Sequence, residues 1–484
     1  MPILTKPSHE CTPREVRALL ISRTSFLLLS GIFSLLLREQ SCLAQQPNDA
    51  PSPASIRETQ ITRPGIPEDI SPAQNLSIPG PDGHSVIAVL RQPQALAAKW
   101  TPLRSLSGPD SIGSPGGTHP LVADGDTVHA VWCQSGTIRY RRSEDAGRTW
   151  TEAVPLTTSG KAQYPCSLEL AGTVLHLIWT DSRNPGWEPY YMRSTDAGKT
   201  WGKEVRLTPG IDMFRFGTAV SGTNVHIVWG SRSRLEKVPV GQSSWTWTWG
   251  DIDYLRSCDG GVTWEKPIRL NRKSGTAMRP AVAASGRFVH VAWHDQCGAK
   301  QNPAWDWNIY YRRSTDGGVT WEPEVRMTDT PMHSRHPQIL ATTSNRVCCI
   351  WEDGQIFDGH GMVGDPALYA ALSTDNGATW GESRRITAIN APNGFATHAK
   401  AYGHGSRVHL TWQDAPEGPQ HPRALYYMTS VDGGLTWETP ERLTQPSAEV
   451  WETGAVVGTE SWALVEMMKG SSLWYRRRDL LSSQ

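Results

Sequence analysis

From Trp100 onward the chain alternates short apolar runs with polar turns, and six of those runs end in tryptophan: Val128 to Trp132, Leu175 to Trp179, Val225 to Trp229, Val289 to Trp293, Val347 to Trp351 and Val408 to Trp412. Runs of this length, rich in β-branched and aromatic residues and bounded by Gly-rich turns, predict β-strands. Before each stands a strand such as Pro280-Ala-Val-Ala-Ala-Ser285, made of small residues, and after each a Tyr-rich strand such as Ile309-Tyr-Tyr-Arg-Arg313. A short piece such as Val205-Arg-Leu-Thr208 or Val325-Arg-Met-Thr328 completes the unit. The repeat is therefore a four-stranded antiparallel sheet.

Between its third and fourth strands each unit carries S-x-D-x-G-x-T-W, at Ser143–Trp150, Ser194–Trp201, Ser257–Trp264, Ser314–Trp321, Ser373–Trp380 and Ser430–Trp437. One copy would mean little; six in register define a repeat architecture. In a tight turn the Asp accepts backbone N–H groups, the Gly supplies positive φ, and the hydroxyls bond locally. The Trp leaves as an apolar plug of about 150–250 Å², suited to the gap between neighbouring sheets. Asp145, Asp196, Asp259, Asp316, Asp375 and Asp432 thus read as turn staples rather than catalysts.

The ends of the repeat region set the number of units. A seventh unit, Trp462-Ala-Leu-Val-Glu466 and Leu473-Trp-Tyr-Arg-Arg477, stops before any box, while Lys99-Trp-Thr-Pro-Leu-Arg-Ser-Leu106 matches Thr200-Trp-Gly-Lys-Glu-Val-Arg-Leu207. An N-terminal strand completing the last sheet would close the ring and remove exposed edges. The expected fold is all-β, a seven-bladed β-propeller spanning 96–480, with six blades as the alternative. Of 22 tryptophans, boxes, strand ends and Trp100 use 13 in packing, and the nine left over lie mainly between second and third strands: Trp187, Trp245, Trp247, Trp249, Trp305 and Trp307.

Ahead of the repeats, Arg14, Arg17 and Arg23 precede an apolar run from Phe26 to Leu37, and Cys42-Leu-Ala44 offers a cleavage site. This pattern predicts a signal peptide over 1–44, too short to span a membrane, and a secreted or periplasmic chain. Glu39 stands where a lipoprotein cysteine would need leucine, which makes a lipid anchor on Cys42 the secondary reading. Residues 45–95, rich in Pro and polar residues, predict a flexible leader. Lys+Arg and Asp+Glu balance at 47 each, which argues against nucleic acid as a partner. No C-x-x-C metal spacing occurs, and no cofactor is expected, although a tunnel would have room for structural Ca²⁺. Cys133 and Cys166, predicted to lie close together in adjacent blades, are a candidate disulfide. A monomer is expected.

In such blades the boxes share one face with the first-to-second turns. The opposite face gathers the long loops, from Gly230 to Asp251 with Trp247, from His294 to Asn308 with Trp305, and from Glu352 to Pro366 with His360. Loop elaboration on a rigid scaffold is where sites reside. The inner strands begin there with His119, Tyr164, Arg215, Arg279, Arg335 beside His336, His398 and Glu452. Three arginines at about one repeat position suit bidentate capture of a carboxylate, against the alternative that each pairs with an acidic neighbour. Asp181, Asp295, Asp353 and Asp414 each follow a strand-ending Trp by two residues and read first as staples. Asp295, in aromatic surroundings that would raise its pKa, is the candidate acid. His119, His336 and His398 read as tunnel lining, with metal ligation as the alternative.

The boxes and their spacing over residues 97 to 478 resemble the Asp-box, or bacterial neuraminidase repeat, proteins, of which sialidases are the best-known enzymes. The resemblance implies a sialidase-like propeller, six-bladed in the sialidases themselves, acting on carbohydrate or glycoconjugate. Carried over by position, Arg215, Arg279 and Arg335 would bind the substrate carboxylate, Tyr164 activated by Glu452 would be the nucleophile, and Asp295 the acid. His119, His398, Trp247 and Trp305 would complete the sugar site. The family's F-R-I-P signature has its counterpart at Thr118-His-Pro-Leu121, with nearer matches at Phe214-Arg-Phe-Gly217 and Met278-Arg-Pro-Ala281. A non-catalytic glycan- or protein-binding propeller is the alternative function, and a polysaccharide lyase using a tunnel Tyr or His against uronates is a third.

Overall fold

The computed structural model describes residues 76–79, 85–88, 100–107, 113–114, 119–184, 186–231, 250–272, 277–296, 307–330, 332–342, 345–357, 362–363, 366–387, 396–415, 421–446, 456–459, 461–469 and 472–480. All lie in one compact unit, Asp69–Gln484, and among them every regular element is a strand. None of the described residues forms a helix long and apolar enough to cross a membrane.

The fold is a seven-bladed β-propeller of antiparallel, four-stranded blades. Blade 2 is typical: Ala162–Ala171, Val174–Asp181, Glu188–Ser194 and Val205–Arg206, from inner to outer edge. Blades 3 to 6 repeat it, with inner strands Met213–Ser221, Ala277–Ser285, His333–Ala341 and Thr397–His404. Blade 1 has the short inner strand Leu121–Asp124. In blade 7, Val456–Gly458, Trp462–Lys469 and Ser472–Asp479 are followed on the outer edge by Arg104–Ser105. Within the stretch expected as a flexible leader, Leu76–Pro79 and Ser85–Ala88 form a hairpin, and Val86 pairs in parallel with Arg385 on the outer strand of blade 5.

Each box folds into the same hydrogen-bonded turn. The Ser hydroxyl donates to one Asp oxygen at 2.7–2.8 Å, and the N–H of the glycine at the fifth box position donates to the Ser hydroxyl at 2.7–2.9 Å. The Thr hydroxyl donates to the other Asp oxygen at 2.5–2.7 Å in all six. The hydroxyl and N–H of Thr200, with the Ser194 hydroxyl, hold Asp196 at a pKa of about 2.

The box also joins blades. Box tryptophans meet the third-strand tyrosine of the preceding blade edge to face, as in Tyr140–Trp201 and Tyr254–Trp321 at 5.2 and 4.9 Å between centroids. Trp100 takes the same place against Tyr427 at 5.0 Å. Five of these tyrosines also bond a buried histidine on their own second strand, His129–Tyr140, His176–Tyr191, His226–Tyr254, His290–Tyr311 and His409–Tyr427, at 2.7–2.9 Å. Burial, and then nearby arginines, push these imidazoles down to about 4 in His129 and His176 and about 3 in His226, His290 and His409, so they are neutral. Cys133 and Cys166 are buried and not joined by a disulfide, Cys133 donating to the Ala162 carbonyl at 3.3 Å. The expected disulfide is therefore not formed.

Candidate functional site

The inner strands of blades 3 to 6 break register at one repeated point. Opposite the residue that follows the strand-ending tryptophan lie Phe214, Met278, Arg335 and Thr397, paired with Gly230, His294, Glu352 and Gln413. The next residue in each blade is bulged out with a left-handed backbone: Arg215, Arg279, His336 and His398, at φ of 50°, 51°, 53° and 56°. Non-glycine residues avoid this region because Cβ crowds the following carbonyl, at a cost of roughly 1–2 kcal/mol each. Such strain, and bulges that re-aim side chains, concentrate at functional sites.

The bulge corrects one expectation. Arg335 is not the equivalent of Arg215 and Arg279, because it sits one residue earlier, paired with Glu352, and His336 occupies the arginine position. The repeated quartet is thus Arg-Arg-His-His.

These side chains share one electrostatic environment. Burial, and then the charges of Arg279, Arg335, His398 and Arg215, hold the His336 imidazole well below its ordinary value. His294 is lowered by burial and then by His336, Arg279 and Arg335. Burial also lowers His398, opposed by Glu352 and reinforced by Arg279, Arg423 and Lys400. The His336 ring lies 5.5 Å from that of His294 and 6.2 Å from that of His398, between centroids. Trp307, 5% exposed, abuts His294 edge to face at 4.8 Å.

One acidic group enters this cationic arc. Glu352, 2% exposed, accepts the His398 backbone N–H at 2.6 Å and stands 3.0 Å from Nδ1 of His336, out of line for a hydrogen bond. Burial lowers the Arg335 guanidinium, and Glu352 opposes that shift. His294 Nδ1 accepts the His336 N–H at 3.1 Å, so its proton resides on Nε2. The arrangement can receive an anion and offer neutral imidazoles as donors or bases.

The other expected residues are elsewhere. His119 belongs to a separate polar chain, with Nδ1 2.6 Å from Glu169, which accepts the Thr218 hydroxyl at 2.6 Å. Asp295, 1% exposed, accepts the Trp293 indole N–H at 3.3 Å. Asp181, Asp353 and Asp414 do the same from Trp179, Trp351 and Trp412, so Asp295 has the repeated staple geometry. Tyr164 lies in the inner strand of blade 2, but its side chain is outside the described residues, as are Glu452, Trp247, Trp305 and His360. Among the described residues no group of three or more His, Cys, Asp or Glu is arranged to hold a metal ion. His294 and Glu352 escaped the sequence reading, although each directly follows a strand-ending Trp and that position could have flagged them.

Comparison with known proteins agrees with the repeat. The family described as a BNR repeat-like domain matches residues 237–408. No curated protein matches the sequence. A Dyadobacter fermentans protein of unknown function is 13% identical, with 78% of this chain and 99% of that one covered, at a TM-score of 0.47. Trypanosoma rangeli sialidase with 2,3-difluorosialic acid gives 13%, 74%, 59% and 0.39, so this chain spans less than two thirds of it. A Fusarium graminearum α-L-arabinofuranosidase with arabinobiose gives 15%, 67%, 94% and 0.39.

Proposed function

We propose that this chain, whose residues 237–408 match the BNR repeat-like domain, is an Asp-box, sialidase-like propeller that acts on acidic sugars at the tunnel mouth of blades 3 to 6, as an exported glycoside hydrolase. The observation that carries this reading is the repeated left-handed bulge that bears Arg215 and Arg279, with Arg335 directly before the equivalent bulge at His336, whose imidazole all three arginines lower. Two arginines on strained bulges and a third beside them bring together planar guanidinium donors of the kind that suits a sugar carboxylate. Tyr164, activated by Glu452, is the proposed nucleophile. The acid role does not go to Asp295, because a carboxylate sealed beneath an indole N–H has no route to a glycosidic oxygen. That burial favours a second reading, a propeller that binds acidic glycans without turning them over.

A fluorogenic sialoside assay on wild type and Arg279→Ala tests the proposal. Turnover that falls by ~10- to 100-fold in the variant, the worth of about 1.5–3 kcal/mol for hydrogen bonds to a charged group, supports hydrolysis. No turnover by wild type, with binding to acidic glycans on an array that Arg279→Ala abolishes, supports the binding module. An ultraviolet rise on uronate polymers would instead identify a lyase, with an imidazole of this cluster as base. If wild type neither binds nor converts any acidic sugar, the tunnel mouth is not an acidic-glycan site.

A further inference from the structure

Two hydrogen bonds connect the bulges of blades 5 and 6 to the blade before each of them. His294 of blade 4 accepts the N–H of His336 in blade 5, and Glu352 of blade 5 accepts the N–H of His398 in blade 6, at 3.1 and 2.6 Å. Both donors are the backbone groups of residues held at positive φ, and both acceptors occupy the strand position directly after the tryptophan. Blade 3 has Gly230 at that position, which offers no side chain to the bulge at Arg279. In blade 2 the position holds Thr180, whose hydroxyl is buried without a hydrogen-bond partner. The lock is therefore present for the two histidine bulges and absent for the two arginine bulges.

We propose that His294 and Glu352 are positioning residues: each fixes the left-handed bulge of the next blade and so holds the imidazoles of His336 and His398 in their places beside the arginines. The inference rests on the tunnel mouth being the ligand site. A bulge N–H points away from its own sheet ladder, and in a buried place it needs an acceptor or the conformation is lost. Glu352 and His294 are 2% exposed, so water cannot substitute for them. Their contribution is geometric: they set where two neutral imidazoles meet a ligand already held by arginine.

Selective ¹⁵N-histidine labelling of the full chain, with the His336 and His398 signals assigned by Asn substitution, reads the lock directly. In Glu352→Leu the His398 amide should exchange at least ~10-fold faster, the loss of one net hydrogen bond, while His176 and His226 amides keep their rates. Glu352→Gln, which retains an acceptor oxygen, should restore slow exchange. Unchanged His398 exchange in Glu352→Leu, or equal acceleration at His176 and His226, overturns the lock. Failure of Glu352→Gln to slow the exchange also overturns it.

Titration with N-acetylneuraminic acid and with galacturonic acid gives the second arm. Weaker binding by Glu352→Leu, rescued in Glu352→Gln, supports a positioning role, and equal binding by all three proteins overturns it. If wild type binds neither acid, the ligand-site reading fails, and the exchange data alone decide whether the bulges are locked.

Discussion

At the scale of single residues, Arg279 is the charge that links the cluster, since it acts on His294, His336 and His398 alike. Removing it should raise all three imidazole pKa values, because a cation that disfavoured protonation is gone. Histidine side-chain NMR of Arg279→Ala checks this: the three resonances should titrate at higher pH than in wild type, with His176 as an unmoved reference. Unmoved titrations at His294, His336 and His398 would mean that the arginine does not share their environment. The arginines were legible in the sequence as a repeated basic position, but their alignment was not. A bulge adds one residue to the inner strand, and the proline that follows it in blades 4 and 5, Pro280 and Pro337, is replaced by Phe216 and Ala399 in blades 3 and 6, so the signal is incomplete and Arg335 reads as the third arginine when His336 stands in its place. Glu352 was harder still, because its acceptor role exists only across two blades.

Within the element, the box is a turn and a joint at once, and the glycine at its fifth position shows why. Gly318 has φ of +88°, and a Cβ there would lie 1.8 Å from the hydroxyl oxygen of Tyr254 in the preceding blade. Gly318→Ala should therefore destabilise by ~1–3 kcal/mol through strain and should separate the Tyr254–Trp321 contact as well. Denaturant unfolding measures it, and a change below ~0.5 kcal/mol would show that the turn relaxes freely. Tyr254→Phe tests the same joint from the other side. It leaves the buried Nδ1 of neutral His226 without its hydroxyl partner, for an expected loss of about 1–3 kcal/mol. A Phe variant as stable as wild type would make the His–Tyr bond dispensable. The box turn was readable from S-x-D-x-G-x-T-W, since each side chain bonds within eight residues. Its tyrosine and histidine partners were not, because they belong to the preceding blade, some fifty or more residues earlier in the chain.

For the molecule as a whole, stability depends on the seam where the seventh blade meets the first. Leu121, Val128 and Trp132 share one apolar cluster with Val457, Trp462 and Leu464, and Trp150 meets Tyr475 edge to face at 5.7 Å. Glu466 alternates with Trp462 and Leu464 on the same strand, paired with Tyr475. Opposite the corresponding tyrosines, other blades place Val131, Ile178, Val228, Ala292 and Thr411. Glu466 is fully buried, and neither carboxyl oxygen has a hydrogen-bond partner. The seam arginines are committed elsewhere, Arg141 to the Leu106 carbonyl and Arg477 to that of Ala146. Burial alone raises the Glu466 pKa to about 8. A folded-state pKa above the ordinary carboxyl value means that the unfolded chain releases this proton first. The neutral acid's contribution is then complete below about pH 4.5 and is lost as pH rises through about 8. Against Glu466→Gln, wild type should lose stability progressively over that window, by up to roughly 3–5 kcal/mol, and the gap should level off above it. Thermal unfolding of both proteins from pH 4 to 9 decides the matter: parallel curves would mean that the carboxyl finds a counter-charge or water in the seam, and a gap that widens with pH would mark ring closure as the proton-sensitive joint of the propeller.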